Sequence, residues 1–357
     1  MFSVCLAQKY ATLWVVAILF FGLVACSVGP INAADSRGRS YVAGNFFLIL
    51  DNVKCGFVKS IDGGAISAEV INEPPGQSYF TKKHIGQPKY ESISMQIGFG
   101  MSKAVYDWIA GSWSMNNTRK SGGIVVLDYN YQGTSETQFF NALVTETTIP
   151  ACDASGKDPA YITIKFAPEY TRSASPEEVK TDLGKSEQKT WLPLNFKLTI
   201  DGLDCTKVSK IDSFTVKQSA VTDDIGDARD YQKEPGKLEF PNLKISFSEV
   251  TAKSWYDWHK EFVIKGNNDE SKEKHGTLTF YGPNMQDELA RIELYNLGIF
   301  RIGAEKAEAN SDQIKRVTAE LYCERMEFKY SGKGIPESDK QSTERAVAQV
   351  VKTTADR

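Results

Sequence analysis

The chain has 357 residues, with 42 Lys+Arg against 45 Asp+Glu and a net charge of −3. That balance excludes the basic excess of a protein that grips nucleic-acid backbone, so no nucleic-acid sequence recognition is expected. At 41% hydrophobic and 24% charged, the composition is that of a globular protein long enough for two domains of ordinary size.

Residues 1–34 read as an export leader. Ala11–Ala25 is an uncharged apolar run preceded by Lys9, too short to span a bilayer comfortably as a helix and suited to the apolar core of a secretory signal. Leu23-Val24-Ala25-Cys26 resembles the lipobox of bacterial lipoproteins, which would place a lipid on Cys26. Plain cleavage near Ala33 or Ala34 is the alternative. A misassigned start is a third reading, although no Met lies between Met1 and Met95. Export is the expectation, to the periplasm, the outer membrane as a lipoprotein, or the outside of the cell. Membrane contact would come only through the leader or a lipid on Cys26. Residues 27–40 read as a tether.

A first domain is expected over 41–172. Phe46, Leu48 and Leu50 share one face of a strand, while Phe47 and Ile49 make its other face apolar too. A second apolar face means that something packs there: a neighbouring domain or subunit, or a covering helix. Asp51-Asn52 is a hairpin turn. Val58–Val70 is a strand broken at Gly63-Gly64, and Glu73–Lys83 is a long polar connection. Ser92–Ile97 alternates as a strand. Lys103–Trp113 is a short helix with Val105, Trp108 and Ile109 on one face. Gly123–Tyr131, Gln138–Thr147 and Ala160–Phe166 are three further strands. Residues 173–190 are nearly devoid of apolar side chains and read as a linker. A second domain follows over 191–330, then a polar, mobile tail over 331–357.

The chain writes its opening stretch twice. Asn45–Gly64 matches Asn195–Phe214 without a gap, 150 residues on (195 − 45 = 150). Asn45/Asn195, Phe46/Phe196, Leu48/Leu198, Asp51/Asp201, Cys55/Cys205, Val58/Val208, Ile61/Ile211 and Asp62/Asp212 are identical. Tyr106-Asp107-Trp108 returns as Tyr256-Asp257-Trp258, Ile93-Ser94-Met95 as Ile245-Ser246-Phe247, and Phe140-Asn141-Ala142 as Tyr295-Asn296-Leu297. A period this long means two copies of one domain. The expected fold is all-β with one short helix per domain: two tandem six-stranded antiparallel β-barrels, or tightly rolled sandwiches, since such sheets must remove their edges.

The block Lys82–Gly98 (KKHIGQPKYESISMQIG) resembles a signature of the tail tube proteins of contractile-tailed phages, K-x-P-G-x-x-K-Y-x-x-I-T-L-x-x-G. Val105-Tyr106-Asp107-Trp108-Ile109 is similar to that family's L-W-D-W-L segment. The resemblance covers nearly all of 45–171; the second copy matches more loosely. It implies a six-stranded barrel with a flanking helix, and hexameric rings stacked into a hollow tube, as in phage tails, related secretion tubes and extracellular injection systems. The implied partners are the chain itself and other tail or injection-system components. The segment before Lys82 is where family members contact neighbouring subunits. Phe47, Ile49, Lys82, Lys83 and Tyr90 are therefore the candidate interface residues. Two features depart from the family. A leader implies export, where the family pattern implies a virion or injection-system tail. A fused pair cannot form a hexamer of identical chains, but three chains could make a ring of pseudo-sixfold symmetry.

Little in the sequence points to catalysis, cofactor or metal. The three histidines, His84, His259 and His275, lack metal-ligand spacing. Asp62/Asp212 and Asp107/Asp257 recur, but at turns and a helix, where capping or surface roles suffice. Trp108 and Trp258 read as core anchors. Beyond the leader are Cys55, Cys152, Cys205 and Cys323. They could pair as Cys55–Cys152 and Cys205–Cys323 in an oxidising compartment, or stay buried thiols. The expected role is structural self-assembly into rings or a tube, without enzymatic activity. The alternative is an exported or lipid-anchored β-domain that binds a ligand or partner as a monomer.

Overall fold

A computed structural model describes residues 44–74, 80–176, 191–223, 232–306 and 314–332. The leader with Cys26, most of the linker and nearly all of the tail lie outside the described residues. In the first half the elements are β1 (Asn45–Leu50), β2 (Val53–Val58), β3 (Ser60–Gly63), β4 (Ile66–Glu73), β5 (Lys82–Tyr90), β6 (Ile93–Ile97), α1 (Lys103–Trp113), β7 (Lys120–Leu127), β8 (Gly133–Ile149), β9 (Cys152–Asp153), β10 (Ile162–Ala167) and β11 (Tyr170–Ala174). The ladder runs β2-β1-β7-β8-β10-β6-β3. Only Lys59 separates β2 from β3, so this one bent strand brings the sheet back to its start. Asp51 and Asn52 take φ of 47° and 64°, the left-handed pair that a two-residue hairpin requires.

The inward faces follow the period-two pattern. Leu48, Leu50, Met95, Ile97, Ile162 and Ile164 are all buried. Helix α1 starts at Ser102, whose hydroxyl accepts from the Ala104 amide at 3.4 Å. It buries Val105, Trp108 and Ile109 as its spacing predicts, and Tyr106 and Trp113 besides.

The second half repeats this order with β12 (Phe196–Ile200), β13 (Val208–Ile211), β14 (Phe214–Asp223), β15 (Gln232–Glu239), β16 (Leu243–Ser248), α2 (Lys253–His259), β17 (Lys274–Tyr281), β18 (Glu288–Ala304) and β19 (Arg316–Tyr330). Strands β8 and β18 both run 17 residues. Each carries a left-handed Asn at the same place, Asn141 (φ 50°) and Asn296 (φ 55°). Trp108 and Trp258 donate their indole N–H to the backbone oxygens of Thr118 and Lys272, at 3.1 and 3.3 Å. Ile93 lies opposite Phe166, and Leu243 opposite Leu321. The partner of Ile93 is therefore Leu243, 150 on (243 − 93 = 150), rather than Ile245. A slip of two keeps the same strand face and is invisible to period-two matching.

The halves differ at one strand. The segment corresponding to β2 makes no ladder in the second half, so β12 pairs only with β17. The cause is local. The Asp204 carboxylate accepts from the amide and hydroxyl of Thr206 at 3.0 and 2.6 Å, and the Trp255 indole donates to the Asp204 backbone oxygen at 3.0 Å. Side-chain turns of this kind compete with strand formation.

One buried cluster runs through both halves. Phe99, Trp191 and Phe280 form an aromatic triangle with centroids 5.1–5.5 Å apart. Tyr106 of α1 stacks on Tyr330 of β19 at 4.0 Å, and the Tyr330 hydroxyl donates to the Phe99 backbone oxygen at 3.2 Å. Helix α1 thus lies between the halves. Aromatic pairs of this sort add to the burial of their large area.

A shared core predicts shared unfolding. Urea denaturation followed by tryptophan fluorescence and β circular dichroism should give one transition. Trp191→Ala should lower the stability of the whole by about 3–5 kcal/mol. Two transitions, with only one displaced by Trp191→Ala, would contradict the shared core.

Candidate assembly interface

The halves meet by strand pairing. The root of β14 adds to β8, with Phe214 opposite Ile149, Thr215 opposite Thr148, Val216 opposite Thr147 and Lys217 opposite Glu146. The hydroxyls of Thr148 and Thr215 lie 2.8 Å apart. Nearby, β9 adds to β13, with Cys152 opposite Ile211. Arg119 clamps the far strand of the hairpin: it donates to the Lys233 backbone oxygen at 3.0 Å and to Glu234 at 2.6 Å. Glu169 accepts from the Lys233 amide at 3.2 Å and lies 3.6 Å from Arg119. Burial pulls the Lys233 ammonium pKa down, with the Glu169 charge opposing.

Hairpin β4–β5 matches β14–β15 pair for pair. Ser67 faces Lys89 and Ala68 faces Pro88, with a bulge between Ala68 and Val70. Lys217 faces Glu239 and Gln218 faces Leu238, with a bulge between Gln218 and Ala220. Every residue is displaced by 150 (217 − 67 = 150; 239 − 89 = 150). So the Lys82 block has a structural twin in the second half although its sequence does not recur there. Gly63 and Gly64 turn the chain into this hairpin at φ 86° and 83°. A Cβ on Gly63 would come within 2.2 Å of the Ser92 backbone oxygen, which only glycine avoids.

The environments of the twins differ. Hairpin β14–β15 is anchored on β8, whereas β4–β5 forms a two-stranded sheet of its own. Every residue of β4 is exposed, including Ile66, Val70 and Ile71. The Lys89–Glu69 ion pair at 3.3 Å and a His84–Glu73 contact at 3.0 Å cross the ribbon, but exposed pairs contribute little, and a lone two-stranded ribbon is marginal in water. Lys82 and Lys83 sit exposed at its far end, opposite Glu73 and Asn72, and Tyr90 sits half-buried at its root opposite Ile66.

Phe47 is placed differently from the expectation that it presents a surface. It is fully buried, with Val125 and Leu127, in a second small cluster flanked by Ile49 and Phe57. Its ring meets Phe57 edge-on at 5.4 Å, and Phe57 meets Tyr131 at 5.8 Å. On this second face Phe47 is fully covered, while Ile49 and Phe57 remain partly accessible.

The recurring carboxylates hold structural ion pairs. Asp107 and Asp257 pair with Lys103 and Lys253 four residues back, and Asp212 pairs with Lys210 at 2.8 Å. Asp62 lies on β3 opposite Ser94. His84, His259 and His275 are dispersed over β5, α2 and β17. Among the described residues no cluster of three or more His, Cys, Asp or Glu could hold a metal ion, and no helix is long and apolar enough to cross a membrane. The four cysteines are free thiols rather than two bridges. Cys55 donates to the Val53 backbone oxygen at 3.3 Å, and Cys323 to that of Arg325 at 3.2 Å. Burial pushes Cys55 up to about 12 and Cys205 and Cys323 up to about 11, and raises Cys152 as well.

The class defined by these features is a mostly-β protein in which the two halves of the chain pair strands edge to edge. Residues 43–172 match the family model of the T4-like virus tail tube protein gp19, which bears out the resemblance read from the Lys82 block over the first half. Among solved structures, the cap that terminates the tube of the anti-feeding prophage is 18% identical, covering 38% of this chain and 89% of that one, at a TM-score of 0.29. The sheath–tube complex of an extracellular contractile injection system is 16% identical, covering 38% and 88%, at 0.29. The anti-feeding prophage baseplate is 10% identical, covering 37% and 89%, at 0.29. No curated protein matches the chain.

Two measurements test this geometry. Phe47→Ala should cost about 3–5 kcal/mol in urea unfolding, as for any core Phe; an unchanged midpoint would return Phe47 to the surface. Alkaline pH should destabilise the chain. The Cys55 thiol rises from 9.0 to about 12 because burial disfavours the thiolate, and Tyr330 rises from 10.0 to about 12 for the same reason. Above pH 9.0 the unfolded state ionises first, so stability present below that pH is lost progressively as pH climbs towards 12. The urea midpoint should fall between pH about 7 and about 10.5; a rise would contradict the burial.

Proposed function

We propose that this protein is a structural, self-assembling subunit that builds rings or a hollow tube. Each chain supplies two copies of one tail-tube-like barrel, so three chains complete a ring of pseudo-sixfold symmetry. The observation that carries this reading is the head-to-tail joint between the halves. One half offers the edge of β8, and the other fills it with the root of β14. A joint of that kind is heterologous: repeated, it generates rings or filaments. The match of residues 43–172 to the tail tube family supports the same reading. The role is mechanical rather than catalytic, and the partners are further copies of the chain and other components of a tail or injection system. Location follows residues 1–34: exported or lipid-anchored at Cys26 if they act as a leader, in a virion or injection-system tail otherwise.

The test is negative-stain electron microscopy and native mass measurement of residues 36–357. Closed rings with a central hole, and masses in multiples of three chains, are the expected result. A monomer at every concentration would contradict the proposal. It would leave the alternative of a leader-anchored β-domain that binds its ligand or partner alone.

A further inference from the structure

We infer that hairpin β4–β5 of one chain docks on the C-terminal end of β18 of a second copy, in the register that β14 uses on β8 within the chain. The inference rests on the assembly reading above and names the seam between chains.

Hairpin β4–β5 and the C-terminal end of β18 correspond to the two sides of the joint within the chain. On the donor side, the root of β14 (Phe214–Lys217) corresponds to Gly64–Ser67, the turn into β4 and its first two residues, by the shared register and shared bulge of the two hairpins. On the acceptor side, Glu146–Ile149 of β8 corresponds to Arg301–Ala304 of β18 (301 − 146 = 155). The ladder confirms this second correspondence independently. Thr148 faces Thr163 as Gly303 faces Thr318, and Thr147 faces Ile164 as Ile302 faces Ala319. Even the cross-strand ion pair recurs with its charges exchanged: Lys165–Glu146 at 3.4 Å and Arg301–Glu320 at 2.9 Å.

In the chain, β8 at this point has β10 on one side and β14 on the other. Strand β18 has β19 on one side. Its pairing with β17 ends at Leu297, so the other side of Arg301–Ala304 pairs with no strand among the described residues. An uncovered edge is a template for another strand.

Burial points the same way. Val216, paired with Thr147 of β8 and part of the shared core, is 2% exposed, while its twin Ile66 is 56% exposed. Tyr106 is fully buried against the second half, while its twin Tyr256 on α2 is 40% exposed, close in sequence to exposed Val263 and Ile264. Both differences lie where a second copy would sit. The register predicted between chains sets Gly64 opposite Ala304, Ala65 opposite Gly303, Ile66 opposite Ile302 and Ser67 opposite Arg301. Its centre is a cross-strand pair of β-branched residues, a favourable pairing. The seam is also less aromatic than the one inside the chain. Phe328 and Tyr330, which pack on α1, correspond to Ser173 and Ser175 (328 − 155 = 173; 330 − 155 = 175). Joints between chains should therefore be weaker than the joint within one.

Paired cysteines test the seam, with Cys205→Ser as background. Ile66→Cys with Ile302→Cys, oxidised at assembling concentration, should link chains into a closed three-chain species on a non-reducing gel. The register-shifted pair Ile66→Cys with Ala304→Cys should give mostly unlinked chain. Val216→Cys with Thr147→Cys supplies the same geometry inside one chain and should bridge without raising the mass. Ile66→Asp, at an exposed position, should abolish rings while leaving circular dichroism unchanged. Rings that persist in Ile66→Asp, or that form without the Ile66–Ile302 link, would overturn this seam and leave the assembly reading standing. A chain that bridges Val216 to Thr147 but neither links nor assembles would overturn both.

Discussion

A strand at the edge of a sheet presents a row of unpaired donors and acceptors, and covering that row organises this molecule. In the first half the bent β2–β3 strand returns the sheet to its start. That closure leaves the far end of β8 carrying an extra position, Glu146–Ile149, which β14 fills. The main-chain hydrogen bonds fix the register, and the threonine hydroxyls and the buried Val216 secure it. Among the described residues, the second half has the equivalent position at Arg301–Ala304 unpaired on one side, and the first half has hairpin β4–β5 as a sheet of its own.

The joint inside the chain is more than a ladder. Trp191, just before the second half, wedges between Phe99 and Phe280, while α1 is held from one side by its own barrel and from the other by Tyr330 and Phe328. The two halves therefore share one buried core. In the first half the positions equivalent to Phe328 and Tyr330 carry Ser173 and Ser175.

Much of this was legible in the sequence, and the unread part shares a physical cause. The helix buried through Val105, Trp108 and Ile109 and the alternating strands are local patterns, and they hold in the fold. Three features depend on contacts distant in the chain. Phe47 was legible as a residue on a second apolar face, but not as one covered by Phe57 and its neighbours. The pairing of β14 with β8 joins residues 67 apart (215 − 148 = 67) and leaves no periodic signal. The absence of a β2 equivalent turns on Asp204 bonding its own neighbours, a side-chain choice that strand propensity does not register. The Lys82 block marked the tail tube resemblance, yet its twin in the second half is visible only through register and bulge. For the cysteines the sequence left bridges and buried thiols both open, and the fold has them as free thiols.

The central claim is that one edge pairing serves both within and between chains. Hydrogen–deuterium exchange, read by residue as the chain is taken from dilute monomer to assembled rings, tests it most directly. The account predicts that amides of Gly64–Ser67 and Arg301–Ala304 gain protection together, to the level that Phe214–Lys217 already shows in the monomer. Rings whose formation leaves both segments exchanging freely would contradict it.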